Sequence, residues 1–361
     1  GRQTKAGFFY SQDGEWDANG QALWSFQRFC ALTGAMPKPA WQQAIVQGAR
    51  WLLRKRTAAG THSLHAGLLP AGFSAEHLGT NDYYYWDDFW GVAGLEAAAT
   101  LCAAWGDTNQ AHAFATSADD FMQAIAQSLQ RSQHIRQHPG LPASPYRRMD
   151  SGAVGSLVAS YPLRLWPAQE ARLLHTVAFL QQRCFRQGVF FQEMFHSGLN
   201  VYLTLHIAQV LLRAGEPCFG DLVRSVSALA SPTGQWPEAI HPRTGGGCMG
   251  DGQHVWAAAE WVVMIRNMFV REEDDGLVLA SGLLQEWLEA GVPCDFGPAP
   301  TPYGDLHLRI EPAATDITVA WQAHWRCQPP RLTVALPGLE PVVVNSARVS
   351  SVTIPYMQKG T

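Results

Sequence analysis

Apolar residues return at three- and four-residue intervals through most of the first 290 positions, the spacing that gathers them on one side of a helix. The pattern predicts helices over residues 19–33, 39–57, 86–105, 108–131, 152–160, 168–184, 197–214, 218–229, 253–270 and 276–290. Strand-like alternation is almost absent from this stretch. Beyond residue 305 the texture changes to short β-branched runs at 306–310, 317–321, 332–336, 342–345 and 349–354, divided by Pro and Gly, which predict strands. The expected division is a helical body over residues 1–292, a Pro- and Gly-rich linker over 293–304 and a small β domain over 305–361.

Within the helical body one theme repeats. A loop rich in Trp, Gly, Asp, Glu and His runs straight into a helix, and a blander helix follows. The five openings are Gly14-Glu-Trp-Asp-Ala-Asn-Gly-Gln21, Asn81-Asp-Tyr-Tyr-Tyr-Trp-Asp-Asp-Phe-Trp-Gly91, Arg147-Arg-Met-Asp-Ser-Gly-Ala153, Phe191-Gln-Glu-Met-Phe-His-Ser-Gly198 and Gly250-Asp-Gly-Gln-His-Val-Trp256. A toroid of helical hairpins produces such alternation. Only the N-terminal ends of its inner helices face the central cavity, where free backbone N–H groups and the positive end of the helix dipole meet polar ligands. The fold expected is therefore all-α, a helical toroid with a small C-terminal β domain. Five openings are counted, and a ring left open would expose apolar flanks. An irregular element within residues 57–82, an upstream segment of a longer chain or a second copy is expected to close it.

Composition narrows the chemistry. The chain has 361 residues, 47% hydrophobic and 16% charged, with a net charge of −4 and no basic stripe, which argues against a nucleic-acid partner. No apolar run approaches the roughly 20 residues needed to span a bilayer, so no membrane association is expected. Seven scattered cysteines without a CxxC pair fit a reducing, cytoplasmic compartment. Fourteen Trp residues are the unusual feature, because flat, partly polar rings suit grooves that stack sugars. Thirteen His residues include no HExxH and no other metal-ligand spacing, and no Gly-x-Ser-x-Gly elbow occurs. Neither a metal nor a cofactor is expected.

The segment Gly234-Gln-Trp-Pro-Glu-Ala-Ile-His-Pro-Arg-Thr-Gly245, followed by Gln253-His-Val-Trp-Ala-Ala-Ala-Glu-Trp261, resembles the glucoamylase segment in which a Pro-Glu or Ser-Glu carries the general base ahead of the last inner helix. Glu15-Trp-Asp-Ala-Asn-Gly-Gln-Ala-Leu-Trp24 resembles an inner-helix start of the same superfamily, the six-hairpin glycosidases with an (α/α)6 barrel. The resemblance covers roughly residues 8–290 and departs from the pattern in having no match to the Trp-Glu pair that carries the general acid. It implies a glycoside hydrolase cleaving an oligo- or polysaccharide by an inverting, two-carboxylate mechanism.

Inverting hydrolysis needs one protonated carboxyl for the leaving oxygen and one carboxylate to activate water. Glu238 is the expected base. Counting back three openings of a six-membered ring reaches the opposite lip, where Glu76 is preferred as the acid over Asp82, Asp87 and Asp88. Candidate sugar contacts are Trp16, Asp17, Asp82, Trp86, Asp87, Asp88, Arg148, Asp150, Glu193, His196, Trp236, His241, Asp251 and His254, with Trp90 and Trp256 as further stacking surfaces. Two alternatives stay open: an inverting sugar phosphorylase that binds phosphate on the Gly-rich run 245–250, and a non-catalytic carbohydrate-binding domain of a larger protein. If Glu238 is the base, Glu238→Gln should keep the fold and lower kcat by about 10²–10⁴-fold. Turnover within about tenfold of the parent protein excludes it.

Overall fold

The computed structural model describes residues 2–60, 62–74, 79–136, 138–193, 197–273, 276–289 and 291–356. The helices are α1 (Asp17–Thr33), α2 (Gln42–Lys55), α3 (Tyr85–Ala104), α4 (Thr108–Arg131), a short α5 (Gln133–Arg136), α6 (Ala171–Arg183), α7 (Val201–Ala214), α8 (Phe219–Ala228), α9 (Val255–Phe269) and α10 (Gln285–Glu289). A 3-10 segment, Ser151–Ala159, takes the place of one inner helix. Sequence-coded caps set several of these ends: Asp107 accepts the Gln110 N–H ahead of α4, and Asn200 accepts the Leu203 N–H ahead of α7. Among the described residues no helix is long and apolar enough to cross a membrane.

The all-α expectation is overturned. The described residues are 43% helical and 19% strand, in three sheets, so the chain is mixed α and β. One sheet runs β1 (Phe185–Arg186), β2 (Val189–Gln192), β3 (Gly198–Leu199), β4 (Ala239–Ile240) and β5 (Gly247–Met249) in that order, all within the stretch that lacks strand-like alternation. Pieces of two to four residues are too short for a period of two to register in sequence. Residues 276–290, expected as a helix, instead give strand β7 (Gly276–Leu279), which pairs with β6 (Val270–Glu273), and then α10.

The C-terminal strands are β8 (Cys294–Thr301), β9 (Gly304–Pro312), β10 (Asp316–Trp325), β11 (Arg331–Val334), β12 (Val342–Asn345) and β13 (Ser351–Pro355). They form a β13-β10-β9-β8 sheet and a β12-β11-β7-β6 sheet. The segment read as a linker is thus largely strand β8. β11 lies parallel to β7, with Leu332 opposite Leu277 and Val334 opposite Leu279, so the second sheet takes two strands from the region read as helical. Buried pairing of these β-branched and Leu positions outweighs local helix propensity.

Helix α3 is the centre of the molecule. Sixteen of its 20 residues are buried, and it packs against α1, α2, α4 and the 3-10 segment. A helix apolar on every side can only be satisfied by enclosure. It crosses α1 closely, and glycine sets the distance: a β-carbon at Gly20 would lie 2.1 Å from the Trp90 carbonyl oxygen, and one at Gly94 would lie 2.7 Å from the Gly20 α-carbon. Alanine is intrinsically about 1 kcal/mol better than glycine inside a helix. Gly20→Ala should nevertheless destabilise the protein by about 2 kcal/mol or more in urea unfolding, because the two backbones must separate. An unchanged or raised midpoint refutes the close crossing.

Candidate active site

Four helices repeat one arrangement near their N-terminal ends. Asp17 and Gln21 on α1, Trp86 and Trp90 on α3, Tyr202 and His206 on α7, and Trp256 and Glu260 on α9 are each four residues apart, one turn on the same face. Gln21, Trp86, Trp90, Tyr202, His206, Trp256 and Glu260, with Tyr161 and Pro162 just past the 3-10 segment, line a cavity of about 270 Å³. Asp17 belongs to the same wall, since its Oδ2 accepts from Trp86 Nε1 at 2.7 Å and from Gln21 Nε2 at 2.6 Å. The result is two tiers. Asp17, Trp86, Tyr202 and Trp256 lie at the helix starts, and Gln21, Trp90, His206 and Glu260 lie one turn deeper.

The aromatic walls are ordered by their mutual contacts. Tyr202 stacks on Trp256 with centroids 4.5 Å apart, and Trp86 meets Trp90 edge to face at 5.8 Å. Between the rings lie polar atoms with nothing to bind: Trp90 Nε1 and His206 Nε2 are buried without a hydrogen-bond partner among the described residues. A buried polar atom left unpaired costs roughly 1–3 kcal/mol, a cost that a ligand hydroxyl would remove. Burial holds the His206 imidazole neutral, its pKa lowered to about 4.

The carboxyls are also shaped by burial. Glu260 accepts from Gln209 Nε2 at 3.1 Å and from the Tyr161 hydroxyl at 3.4 Å. Gln209 Oε1 accepts from Asn267, and Asn267 accepts from Arg266, so the nearest cation along this chain stands two side chains away. Burial therefore dominates and raises the Glu260 pKa to about 7. Asp17 is raised to about 6, again by burial, against the Trp86 N–H that favours its ionised form. Asp88, fully enclosed on α3, is raised to about 8. Its Oδ1 accepts the Leu69 N–H, and its Oδ2 has no hydrogen-bond partner among the described residues.

The structure sorts the sequence candidates. Trp86, Trp90 and Trp256 line the cavity, Asp17 is hydrogen-bonded to two of its lining residues, Trp86 and Gln21, and Asp87 is buried in the first turn of α3. Asp88 is enclosed on α3, where its Oδ1 accepts the Leu69 N–H, and Trp236 is buried, donating to the Val226 carbonyl. Trp16 packs outside the cavity on Phe8 and Trp51, with Lys55 Nζ 3.7 Å from its ring centre. Asp82 accepts from Ser144 Oγ at 2.6 Å, and Asp150 caps the 3-10 segment and pairs with Arg147. Arg148, Glu193 and Asp251 are exposed, Glu193 lying 3.7 Å from Arg186. His241 Nδ1 accepts the N–H groups of Arg243 and Thr244, a turn-closing role.

Glu238 is half-buried on the loop before α9. Its N–H donates to the Asp251 carbonyl, and the His254 N–H donates to the Trp236 carbonyl, which fastens that loop to the start of α9. Its carboxylate lies against Gly250, where a β-carbon would come within 1.7 Å of Oε2. Glu76 and His196 lie outside the described residues. Gln21, Tyr161, Tyr202, His206 and Glu260 were not singled out from sequence. The signal for two of them, Gln21 and Glu260, is the four-residue step from Asp17 and Trp256, the same step that joins Trp86 to Trp90. Among the described residues no group of His, Cys, Asp and Glu could hold a metal ion.

No family model and no curated protein matches the sequence. Solved structures match in shape. A rhamnosidase of glycoside hydrolase family 78 from a Bacillus species superposes with a TM-score of 0.55 at 17% identity, over 90% of this chain and 33% of that one. A glycosidase variant gives 0.51 at 15% identity over 70% and 66% of the two chains. A bacterial glucoamylase complexed with acarbose gives 0.50 at 14% identity over 71% and 41%. The matched region thus spans between about one third and two thirds of those chains. The likeness shows a glycoside-hydrolase-like fold.

Asp88 offers a test of the site's electrostatics that is independent of any substrate. Its folded pKa is raised, so the native state holds a proton that the unfolded chain has already released between the usual carboxyl range near 4 and about 8. Stability should therefore fall with rising pH across that window, by at most about 1.4 kcal/mol per pH unit for this one group, and level off above it. Asp88→Asn keeps the Leu69 acceptor and removes the titration. In urea unfolding at pH 5 and pH 8, the stability difference between variant and parent should shift by about 2–4 kcal/mol in the variant's favour at the higher pH. An equal difference at both values contradicts a neutral Asp88.

Proposed function

We propose that the chain is a glycoside hydrolase that holds one sugar ring between the two tiers of the central cavity. The observation that carries this reading is the convergence of four helices on one cavity with aromatic sides, unpaired buried N–H and imidazole atoms, and carboxyls that burial keeps partly protonated. Sugars have an apolar face for the rings and a rim of hydroxyls for Gln21, Trp90, His206 and Glu260. The glycosidase-like fold supports the same class.

The reacting bond belongs at the upper tier, because the leaving group must depart toward the helix starts and their loops. Asp17 is the proton donor at that level. Its Oδ2 accepts from two neutral N–H donors, and a pKa of about 6, raised by burial, suits a general acid near neutrality. Glu238, at the loop that leads into α9, is the carboxylate that activates water, and Glu260 serves as a hydroxyl contact on the floor. Hydrolysis is favoured over phosphorolysis because the Glu238 carboxylate lies on the same Gly-rich run that would cradle phosphate, where it would repel the anion.

The test uses paired substrates, aryl α-glucosides and α-rhamnosides with good leaving groups against the corresponding alkyl glycosides. Asp17→Asn should lower kcat/KM on the alkyl glycosides by about 10²–10⁴-fold and far less on the aryl ones. The parent protein's kcat/KM should fall as pH rises through about 6, and Asp17→Asn should remove that fall. Equal losses on both classes, with the alkaline limb intact, would transfer the donor role to Glu76. Absence of turnover on any glycoside, with sugar binding retained, would favour the carbohydrate-binding alternative.

A further inference from the structure

A second and larger cavity, about 630 Å³, lies away from the central one and shares no lining residue with it. It is enclosed by the end of α7, the start of α8, strand β7 and the loop after β11, which brings the helical layer against the β12-β11-β7-β6 sheet. Its size falls within the roughly 300–1,000 Å³ typical of small-molecule pockets. Much of its lining is apolar, with Leu212, Phe219, Leu284, Leu336 and Leu339 among the contributors.

The charged groups on this lining are all of one sign: Arg213, Arg224 and Arg271. Two of them are fully engaged from behind. Arg213 forks onto Glu273 at 2.7 and 2.8 Å and turns its remaining nitrogen to the Ser160 carbonyl, and Arg224 forks onto Glu286 at 2.8 and 2.7 Å while holding Asp221. Arg271 is different. Its side chain is only 11% exposed, its Nε makes no hydrogen bond among the described residues, and its Nη1 reaches Ser281 Oγ at a long 3.3 Å. Among the described residues the carboxylate that approaches it, Glu273, stands 3.7 Å away and is already committed to Arg213. Burial, reinforced by the neighbouring Arg213, lowers the Arg271 pKa to about 10 against the pull of Glu273. A buried guanidinium whose Nε makes no hydrogen bond among the described residues, beside an apolar chamber, matches one ligand shape: a head that fills a planar fork and a body that fills the chamber.

We propose that this pocket is a second binding site that takes a small organic carboxylate with an apolar body, its carboxylate on Arg271 beside Ser281 and its body against Phe219, Leu284 and Leu339. The probe is octanoate, titrated calorimetrically into the full chain, with 1-octanol as the uncharged control of equal length. Octanoate should bind at least about tenfold more tightly than 1-octanol, and Arg271→Gln should erase that preference while leaving 1-octanol binding unchanged. Leu339→Glu, which brings a carboxylate of the protein's own to the chamber, should abolish octanoate binding and serves as the deciding variant if Arg271→Gln does not fold. Equal binding of octanoate and 1-octanol overturns the proposal, as does an undiminished octanoate affinity in either variant.

Discussion

The structure depends on the crossing of α1 and α3 at Gly20 and Gly94. With no side chain at either glycine, two helix backbones approach until a carbonyl of one meets the α-carbon of the other, a separation no other residue permits. That distance is what lets Trp86 Nε1 of α3 reach Asp17 Oδ2 on α1, an oxygen that also accepts from Gln21 one turn along its own helix. A wider crossing would leave Asp17 solvated at a helix start, where its carboxyl would behave as an ordinary N-terminal acid. Close packing here therefore creates the electrostatics of the site as well as one wall of its cavity.

The same economy explains why the carboxyls around the centre resist ionisation. Asp17, Asp88 and Glu260 have no guanidinium or ammonium hydrogen-bonded to them among the described residues, and each is held by neutral donors: an indole and an amide, a peptide N–H, an amide and a phenol. Neutral donors cost less to bury than cations but stabilise the ionised form less, so burial prevails and the pKa values rise. The contrasting case is Glu272, where burial again opposes ionisation but Arg266, Arg28 and Arg164 together bring the pKa down to about 2. The chain thus separates two kinds of buried acid. Those beside the cavity can carry a proton at neutral pH, and the one behind α9 cannot.

Much of this organisation is legible in the sequence where the signal is long. Helix α4 occupies the predicted residues 108–131, and α3 lies within one residue of prediction, because twenty or more residues of helical periodicity leave little room for error. The strands β1 to β5 and the β6-β7 hairpin are invisible for the opposite reason: pieces of two to four residues are too short for alternation to register, and β3 and β7 have partners, β4 and β11, about 40 residues or more along the chain. At the candidate site, Asp17 and Trp86 stand out in the sequence by their position at helix openings. Glu260 and His206 were missed because an acid and an imidazole inside apolar helices look like isolated irregularities until the helices are assembled. The four-residue step that unites them is a property of four helices at once, and one sequence displays it only when those helices are compared with each other.

Glu272 has a second consequence, for the seam between the first and last cavity-lining helices. It sits on β6 and binds Arg266 of α9 through both oxygens at 2.7 and 3.0 Å, while Arg28 of α1 approaches to 3.6 Å. Arg266 also donates to the Pro300 carbonyl on β8, and Arg326, just past β10, donates to the Ala31 and Leu32 carbonyls at the end of α1. These bonds fasten the strands to α1 and α9 together, so the β-structure helps fix the two helices that carry Gln21 and Glu260. Removing one partner of a buried ion pair commonly costs about 3–5 kcal/mol, because the remaining charge stays desolvated. The strands are therefore part of the cavity's frame rather than an appendage to it, which is why a division into a helical body and a separate β domain, natural on sequence texture, does not describe how the site is held together.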